Sequence, residues 1–149
     1  MSLAVDVALD GVRAPLSRAR VKTIAQRVLR AEGVRQAMLS ITFIDRRAIA
    51  RLNAGHLGVR GATDVIAFGF ERSGADAPVV GDVYIAPEVA REHARQRSHG
   101  VRTEVARLVI HGVLHVLGHD HPADDGRESS VMWRRQEALL RSAQRAGAA

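Results

Sequence analysis

Four of the seven histidines fall within eleven residues, His111-Gly-Val-Leu-His115-Val-Leu-Gly-His119-Asp-His121. On a helix, at about 100° per residue, His111 and His115 share one face a turn apart, the spacing at which two imidazoles bind one metal ion. A helix break at Gly118 lets the chain return and bring His121 as a third imidazole. Three neutral imidazoles holding one zinc ion, with a fourth position left for water, is the ligand count of a hydrolytic site rather than a structural one. One histidine on an apolar helix is usually a core residue satisfied by a single hydrogen bond. Several buried together without a metal leave many polar atoms to satisfy, so the cluster favours metal binding. The chain has no cysteine, which removes thiolate metal sites, disulfides and thiol nucleophiles.

Both histidine intervals and the intervening glycine match the metzincin protease pattern His-Glu-x-x-His-x-x-Gly-x-x-His. The glutamate does not, because Gly112 stands where those proteases keep their general base. Two other acids are candidates for that role. Glu104 lies seven residues before His111 on the same helical face; it either acts on a ligand or its water from behind, or is an exposed first-turn acid favoured by the helix dipole, and the second reading is preferred. Asp120, between two histidines, has the same two readings.

The elements that must carry these residues follow from periodicity. Residues 3–9 alternate as a first strand, and a helix follows Pro15 to about Ala31, with Val21, Ile24, Ala25 and Val28 forming its apolar stripe. Gln36 to Ile44 is β-rich, and Asp45 caps a helix through about Asn53. A glycine-containing loop, Ala54 to Ala62, leads to strands Asp64–Phe70 and Val79–Ile85, which can form a hairpin. Helices follow from Pro87 to about Arg97 and from about Thr103 to Leu117, the latter apolar almost all round and therefore central. After the His119–Gly126 loop, Ser129 or Ser130 caps a last helix with Val131, Met132, Ala138, Leu139 and Leu140 as its apolar positions.

With 149 residues, 46% hydrophobic and 26% charged, the chain reads as one globular domain with no linker long enough to divide it. Its net charge of +6 is localised: residues 13–35 hold seven basic residues against Glu32 alone, and the remaining 15 basic and 15 acidic residues cancel. Arg20, Arg27 and Arg30 project from the apolar stripe of the first helix, a footprint for a polyanion such as RNA or an anionic surface, or simply a solvated face. The N-terminus lacks the basic-then-apolar pattern of a secretory signal, and no apolar run reaches membrane-spanning length, so a cytoplasmic protein without a membrane partner is expected. The five aromatic residues are too few for an extended base-stacking platform, which favours recognition of the backbone over reading of sequence.

The stretch from His111 to His121 resembles the signature of the YbeY family of bacterial endoribonucleases, His-Gly-x-Leu-His-Leu-x-Gly-Tyr-Asp-His, with Val116 for the second leucine and His119 for the tyrosine. Leu52-Asn53, Thr63-Asp64-Val65-Ile66-Ala67-Phe68, Gly81-Asp82-Val83 and Glu88-Val89-Ala90 resemble the family's other blocks in order and spacing. The resemblance, over about residues 36 to 140, implies an α+β fold with a mixed sheet of about four strands covered by about five helices and a zincin-like metal-binding helix. It also implies a metal-dependent, single-strand-selective endoribonuclease that matures small-subunit (16S) ribosomal RNA, with the small ribosomal subunit and its assembly factors as partners. His121 keeps the signature spacing and is preferred to His119 as third ligand. Many members carry an arginine where this chain has Leu57; Arg60 is the candidate substitute for its phosphate contact. A zinc-dependent peptidase or other hydrolase on the same scaffold, and an assembly factor with a structural metal, are the competing readings. Gly112 counts against the peptidase, and an open coordination position would count against the structural metal.

Overall fold

A computed structural model describes residues 1–120 and 130–149; His121 and Ser129 lie outside the described residues. Four strands, β1 (Ser2–Leu9), β2 (Gln36–Phe43), β3 (Val65–Gly69) and β4 (Val79–Ile85), form one sheet in the order β1-β2-β4-β3. β1, β2 and β4 run parallel, and β3 closes one edge antiparallel to β4, Ile66 opposite Tyr84 and Phe68 opposite Asp82. The hairpin and the α+β class therefore stand as the sequence implies. The helices are α1 (Arg18–Ala31), α2 (Arg46–Leu57), α3 (Pro87–Gln96), α4 (Val101–Val116) and α5 (Val131–Arg145).

Local chemistry sets the boundaries. Ser17 accepts a hydrogen bond from the Arg20 amide, Asp45 from Ala48 and Ser130 from Trp133, each satisfying an amide that the first helical turn leaves without a partner. α4 ends in a Schellman turn: the Gly118 amide donates to His115 O (2.9 Å), His119 to Leu114 O (3.0 Å), and Gly118 takes φ 97°. α2 runs four residues beyond the expected Asn53, to Leu57. The glycine and histidine in its last turn suggest a loop, yet Gly58 at φ 65° provides the actual stop.

Alternation decides which sheet face is buried. Leu3, Val5, Ala37, Leu39, Ile41, Phe43, Val83 and Ile85 face the helical layer in which α4 lies central, packed against α1, α3, α5, β3 and β4. On the other face α2 builds a smaller cluster around Ile49, Ile66 and Val89. Val131, expected on the apolar face of α5, is instead 71% exposed; it occupies the first helical position, before the apolar stripe starts at Met132.

α4 approaches the β3–β4 hairpin so closely that side chains are excluded at three points. A Cβ on Gly112 would sit 2.5 Å from Val83 Cγ1, one on Gly81 2.5 Å from Val116 Cγ1, and one on Gly69 2.6 Å from the Val116 carbonyl oxygen. The last contact is backbone and cannot give way. Gly69→Ala is therefore expected to destabilise the protein by about 1–3 kcal/mol in denaturant titration, while Gly74→Ala, with open space around it, changes stability by less than about 0.5 kcal/mol. Equal effects of the two substitutions would show that the close approach carries no stability.

Candidate metal centre

His111 and His115 occupy the same face of α4 with their rings edge to face, centroids 4.7 Å apart and planes at 68°. Both are half-buried and line a cleft of about 360 Å³ together with Leu57, Thr63, Asp64 and residues 65–67 of β3. The cleft thus runs along the outer edge of the sheet, α4 on one side and the end of α2 with its following loop on the other. That loop is pinned by buried Asn53, whose Nδ2 donates to Gly61 O (3.0 Å) while its carbonyl accepts from Val59 (3.1 Å).

The protonation geometry of His111 is set from behind. Its Nδ1 lies 2.6 Å from Gln136 Oε1, and Gln136 Nε2 donates to Glu137 Oε2 (3.1 Å), which fixes the amide with its acceptor toward the ring. An amide oxygen only accepts, so the proton is on His111 Nδ1 and the ring lone pair on Nε2, the tautomer a metal ligand needs. Gln136 is 1% exposed. The pair of imidazoles offers the nitrogen donors that zinc accepts, and the residues present fit such an ion.

Glu104 is not the exposed first-turn acid expected. It is fully buried, with one oxygen 3.2 Å from Arg97 Nη1 and the other 2.9 Å from Arg107 Nη1. Both oxygens are bound to guanidinium groups, which removes it as a free base at the cleft. Arg107 in turn donates to both oxygens of Glu137 (2.9 and 3.1 Å). An unbroken chain of polar contacts therefore leads from Glu104 through Arg107, Glu137 and Gln136 to His111. Burial alone would lower the Arg107 pKa, but hydrogen bonds and charges from Glu137 and Glu104 hold it above its ordinary value. For Glu137, burial alone would raise the pKa. Hydrogen bonds from Arg107 and Gln136, with the charges of Arg107 and Arg141, hold it below the ordinary value.

Glu104 also comes within 4.8 Å of donor atoms on Asp64 and His93. His93 Nδ1 is 2.9 Å from Asp64 Oδ2, and a cation placed there would compete with two arginines for Glu104. Among the described residues, Asp64 is the acid that lines the His111–His115 cleft. Asp120 is exposed. His119 turns away from α4 and sets Nε2 2.6 Å from Glu32 Oε1, a carboxylate also bound by Arg135. His121 lies outside the described residues. Leu57, 53% exposed, lines the cleft, and the exposed Arg60 does not.

The three α1 arginines are not one solvated face. Arg30 is exposed, Arg20 is exposed but donates to Gly147 O (2.9 Å), and Arg27 packs on α5, donating to Ser142 Oγ (3.1 Å). Arg27 therefore does not project freely as expected, because α5 covers that flank. α1 packs on β1, at the opposite edge of the sheet from the cleft. Sequence reading missed Arg107, Glu137 and Gln136. The first carried a signal, a cation i+3 from Glu104 inside an otherwise apolar helix, where two buried charges must pair.

A mixed-sheet α+β fold whose buried helix presents an i, i+4 imidazole pair beside an edge strand is the class that fold and site define. Within it, the family model described as endoribonuclease YbeY matches residues 11–144. The chain belongs to the endoribonuclease YbeY family. The endoribonuclease YbeY of Pelotomaculum thermopropionicum is 38% identical over 144 residues, covering 93% of this chain and 88% of that protein. The endoribonuclease YbeY of Bacillus licheniformis is 34% identical, covering 94% of each. A solution structure of a Thermotoga maritima protein shares the fold, with TM-score 0.61 and 20% identity over 96% of this chain and 93% of that one. Among the described residues no helix is long and apolar enough to cross a membrane.

Removing Arg107 would leave Glu104 buried with Arg97 as its remaining ion pair among the described residues, so Arg107→Ala is expected to cost about 3–5 kcal/mol in denaturant unfolding. Because Glu137 titrates lower in the folded state, its stabilisation is complete above its ordinary pKa of 4.5 and is lost as pH falls through the lowered folded value. Glu137→Gln should therefore flatten the acid limb of stability against pH below 4.5. An unchanged limb would remove this group from the acid sensitivity.

Proposed function

We propose that this chain is a metal-dependent, single-strand-specific endoribonuclease that acts in the cytoplasm in maturation of small-subunit (16S) ribosomal RNA and in ribosome quality control. In this reading residues 1–149 form one hydrolase domain, His111, His115 and His121 hold one zinc ion, and RNA and the small ribosomal subunit with its assembly factors are the partners. The observation that carries it is the α4 imidazole pair opening on the edge-strand cleft, with the His111 tautomer set by Gln136. The relatives named as endoribonucleases support RNA as the substrate.

When bound, zinc supplies Lewis acidity toward water and a phosphoryl oxygen. The chain's residues supply the rest. Gln136 holds the proton on His111 Nδ1, and the cleft admits a strand from the side of β3. Position 112 faces Val83 and Val65 of the sheet, so a glutamate there would collide with the core; the base of a metzincin-type peptidase has no room. A phosphodiester suits such a site better than an amide, whose nitrogen must be protonated before it leaves. Arg20 and Arg30, with Arg27 holding α1 to α5, form an RNA-attracting face remote from the cleft, and Arg60 contacts phosphate near its rim.

Purified protein is expected to contain about one zinc ion per chain, as the single triad implies, and to cleave unstructured RNA but not casein in a chelator-sensitive way. His111→Ala, His115→Ala or His121→Ala should each empty the site in metal analysis, and His119→Ala should leave it filled. Loss of metal on His119→Ala alone would overturn the ligand assignment. Chelator-sensitive proteolysis without RNA cleavage would favour the peptidase, and a filled site with neither activity the assembly factor.

Leu57 generates a second expectation. A cation at this exposed position of the cleft wall adds one phosphate contact, so Leu57→Arg should tighten single-stranded RNA binding several-fold at low salt and steepen its salt dependence by about one unit of slope. An unchanged slope would place the RNA strand elsewhere.

A further inference from the structure

The cleft has a property that its side chains do not reveal. Phe70 N–H donates to Val80 O (3.0 Å), and Ala86 N–H donates to Asp64 O (2.9 Å). With the register of the β3–β4 pair, these two bonds fix the alternation of the ladder: the backbone groups of Asp64, Ile66, Phe68 and Phe70 point toward β4. Those of Val65 and Ala67 point the other way, off the edge of the sheet. Among the described residues no strand pairs with that edge, and Val65 and Ala67 line the same cleft as His111 and His115. The described lining includes no lysine or arginine, although a phosphodiester held there needs hydrogen-bond donors.

We propose that the outward edge of β3 is the strand-binding rail of the cleft, the N–H groups of Val65 and Ala67 donating to phosphate oxygens of single-stranded RNA and the neighbouring carbonyls accepting from ribose 2′-hydroxyls. This rests on the RNA-hydrolase reading of the site. An edge strand alternates one donor with one acceptor along its length. RNA does the same along its backbone, since phosphate only accepts and the 2′-hydroxyl can donate. DNA lacks that second partner, so the same edge discriminates between the two. Continuity with the imidazole pair places this rail against the bonds nearest the reacting centre. An extended peptide also matches an open edge by strand addition. RNA is favoured because position 112 has no room for a peptidase base, and because the family's named activity is on RNA.

The fold allows a direct test. Proline removes an N–H, and at Ala67 that N–H belongs to no ladder bond, so Ala67→Pro leaves the β3–β4 pairing intact; the preceding Ile66 already has the extended backbone that proline requires. The full-length chain is titrated into a labelled single-stranded RNA 10-mer in chelator, which stops hydrolysis so that anisotropy reads binding alone. Wild type should bind RNA more tightly than DNA of the same sequence. Ala67→Pro should weaken RNA binding about tenfold, the worth of one hydrogen bond to a charged acceptor, with an unchanged circular dichroism spectrum, and Ala67→Ser, which keeps the N–H, should bind like wild type. If Ala67→Pro unfolds, Val65→Pro and the RNA-to-DNA ratio of wild type decide the matter from the other donor and from the ligand side. RNA binding unchanged in a folded proline variant, or wild type binding RNA and DNA equally, overturns the rail while leaving the hydrolase reading in place. Wild type that binds no RNA but does bind a labelled poly-threonine 10-mer, lost in Ala67→Pro, overturns both and makes the edge a peptide site.

Discussion

The position of everything functional depends on how near α4 lies to the β3–β4 hairpin. Helix and sheet ordinarily stand apart by the thickness of their side chains. Here Gly112 on the helix and the opposed pair Gly69 and Gly81 on the strands remove that thickness at successive points. The helix axis is therefore drawn toward the edge of the sheet, where β3 is the last strand. His111 and His115, on the flank of α4 adjoining Gly112, consequently emerge beside β3's outer edge instead of beneath the sheet. With side chains at those glycines the helix would have to lift, and the imidazoles would lose their common wall with the strand. Gly112 thus explains two observations at once: the core packs closely, and an acid is missing where a peptidase would carry one.

The second constraint is electrical. α4 is buried nearly all round, yet it carries Glu104 and Arg107 within it, and a lone charge there would be prohibitive. The charges are tolerated because Arg107 binds two carboxylates, Glu104 on its own helix and Glu137 on α5, and Arg97 adds a second cation to Glu104. Such a network stabilises less than an apolar core of equal volume would, since both partners lose their hydration. Its value is orientation. It ties α5 to α4 at the height of His111 and ends in the one amide oxygen that fixes the imidazole's proton. The elements holding the ring and its partner are separately anchored, so the tautomer does not depend on solvent.

These two constraints differ in how far the sequence discloses them. The strands, the order of helices and the caps at Asp45, Ser130 and Gly118 follow from rules that operate within a few residues, and the structure has them in place. The imidazole pair follows from the same helical geometry. What fails is whatever depends on a partner far along the chain. Glu104 reads as a solvated helix-start acid because the sequence shows the favourable dipole position but not that Arg97 and Arg107 enclose it. Arg27 reads as solvent-facing because α5, more than a hundred residues away, covers it. Gln136 carries no signal, being a single amide on an amphipathic helix whose role depends on which ring it meets. Leu57 is placed on the cleft wall by a helix that continues past Asn53, where the sequence suggests a stop.

The separation of charge from site has its own consequence. The excess of cations is on α1, which packs on β1 and α4, while the cleft opens at β3, three strand spacings from β1, or about 14 Å. That exceeds the Debye length of about 8 Å at physiological ionic strength, so Arg20 and Arg30 contribute little to the potential in the cleft itself. In the proposed reading they act on a different stretch of the same polyanion. Electrostatic attraction of this sort raises encounter rate and overall affinity but selects no register, because phosphates are equivalent along the strand. Short-range contacts must select the bond that is cut, and those belong to the cleft, where hydrogen-bond direction matters more than charge. A strand long enough to touch both edges can be retained by the first and positioned by the second, which divides affinity and orientation between opposite sides of one sheet.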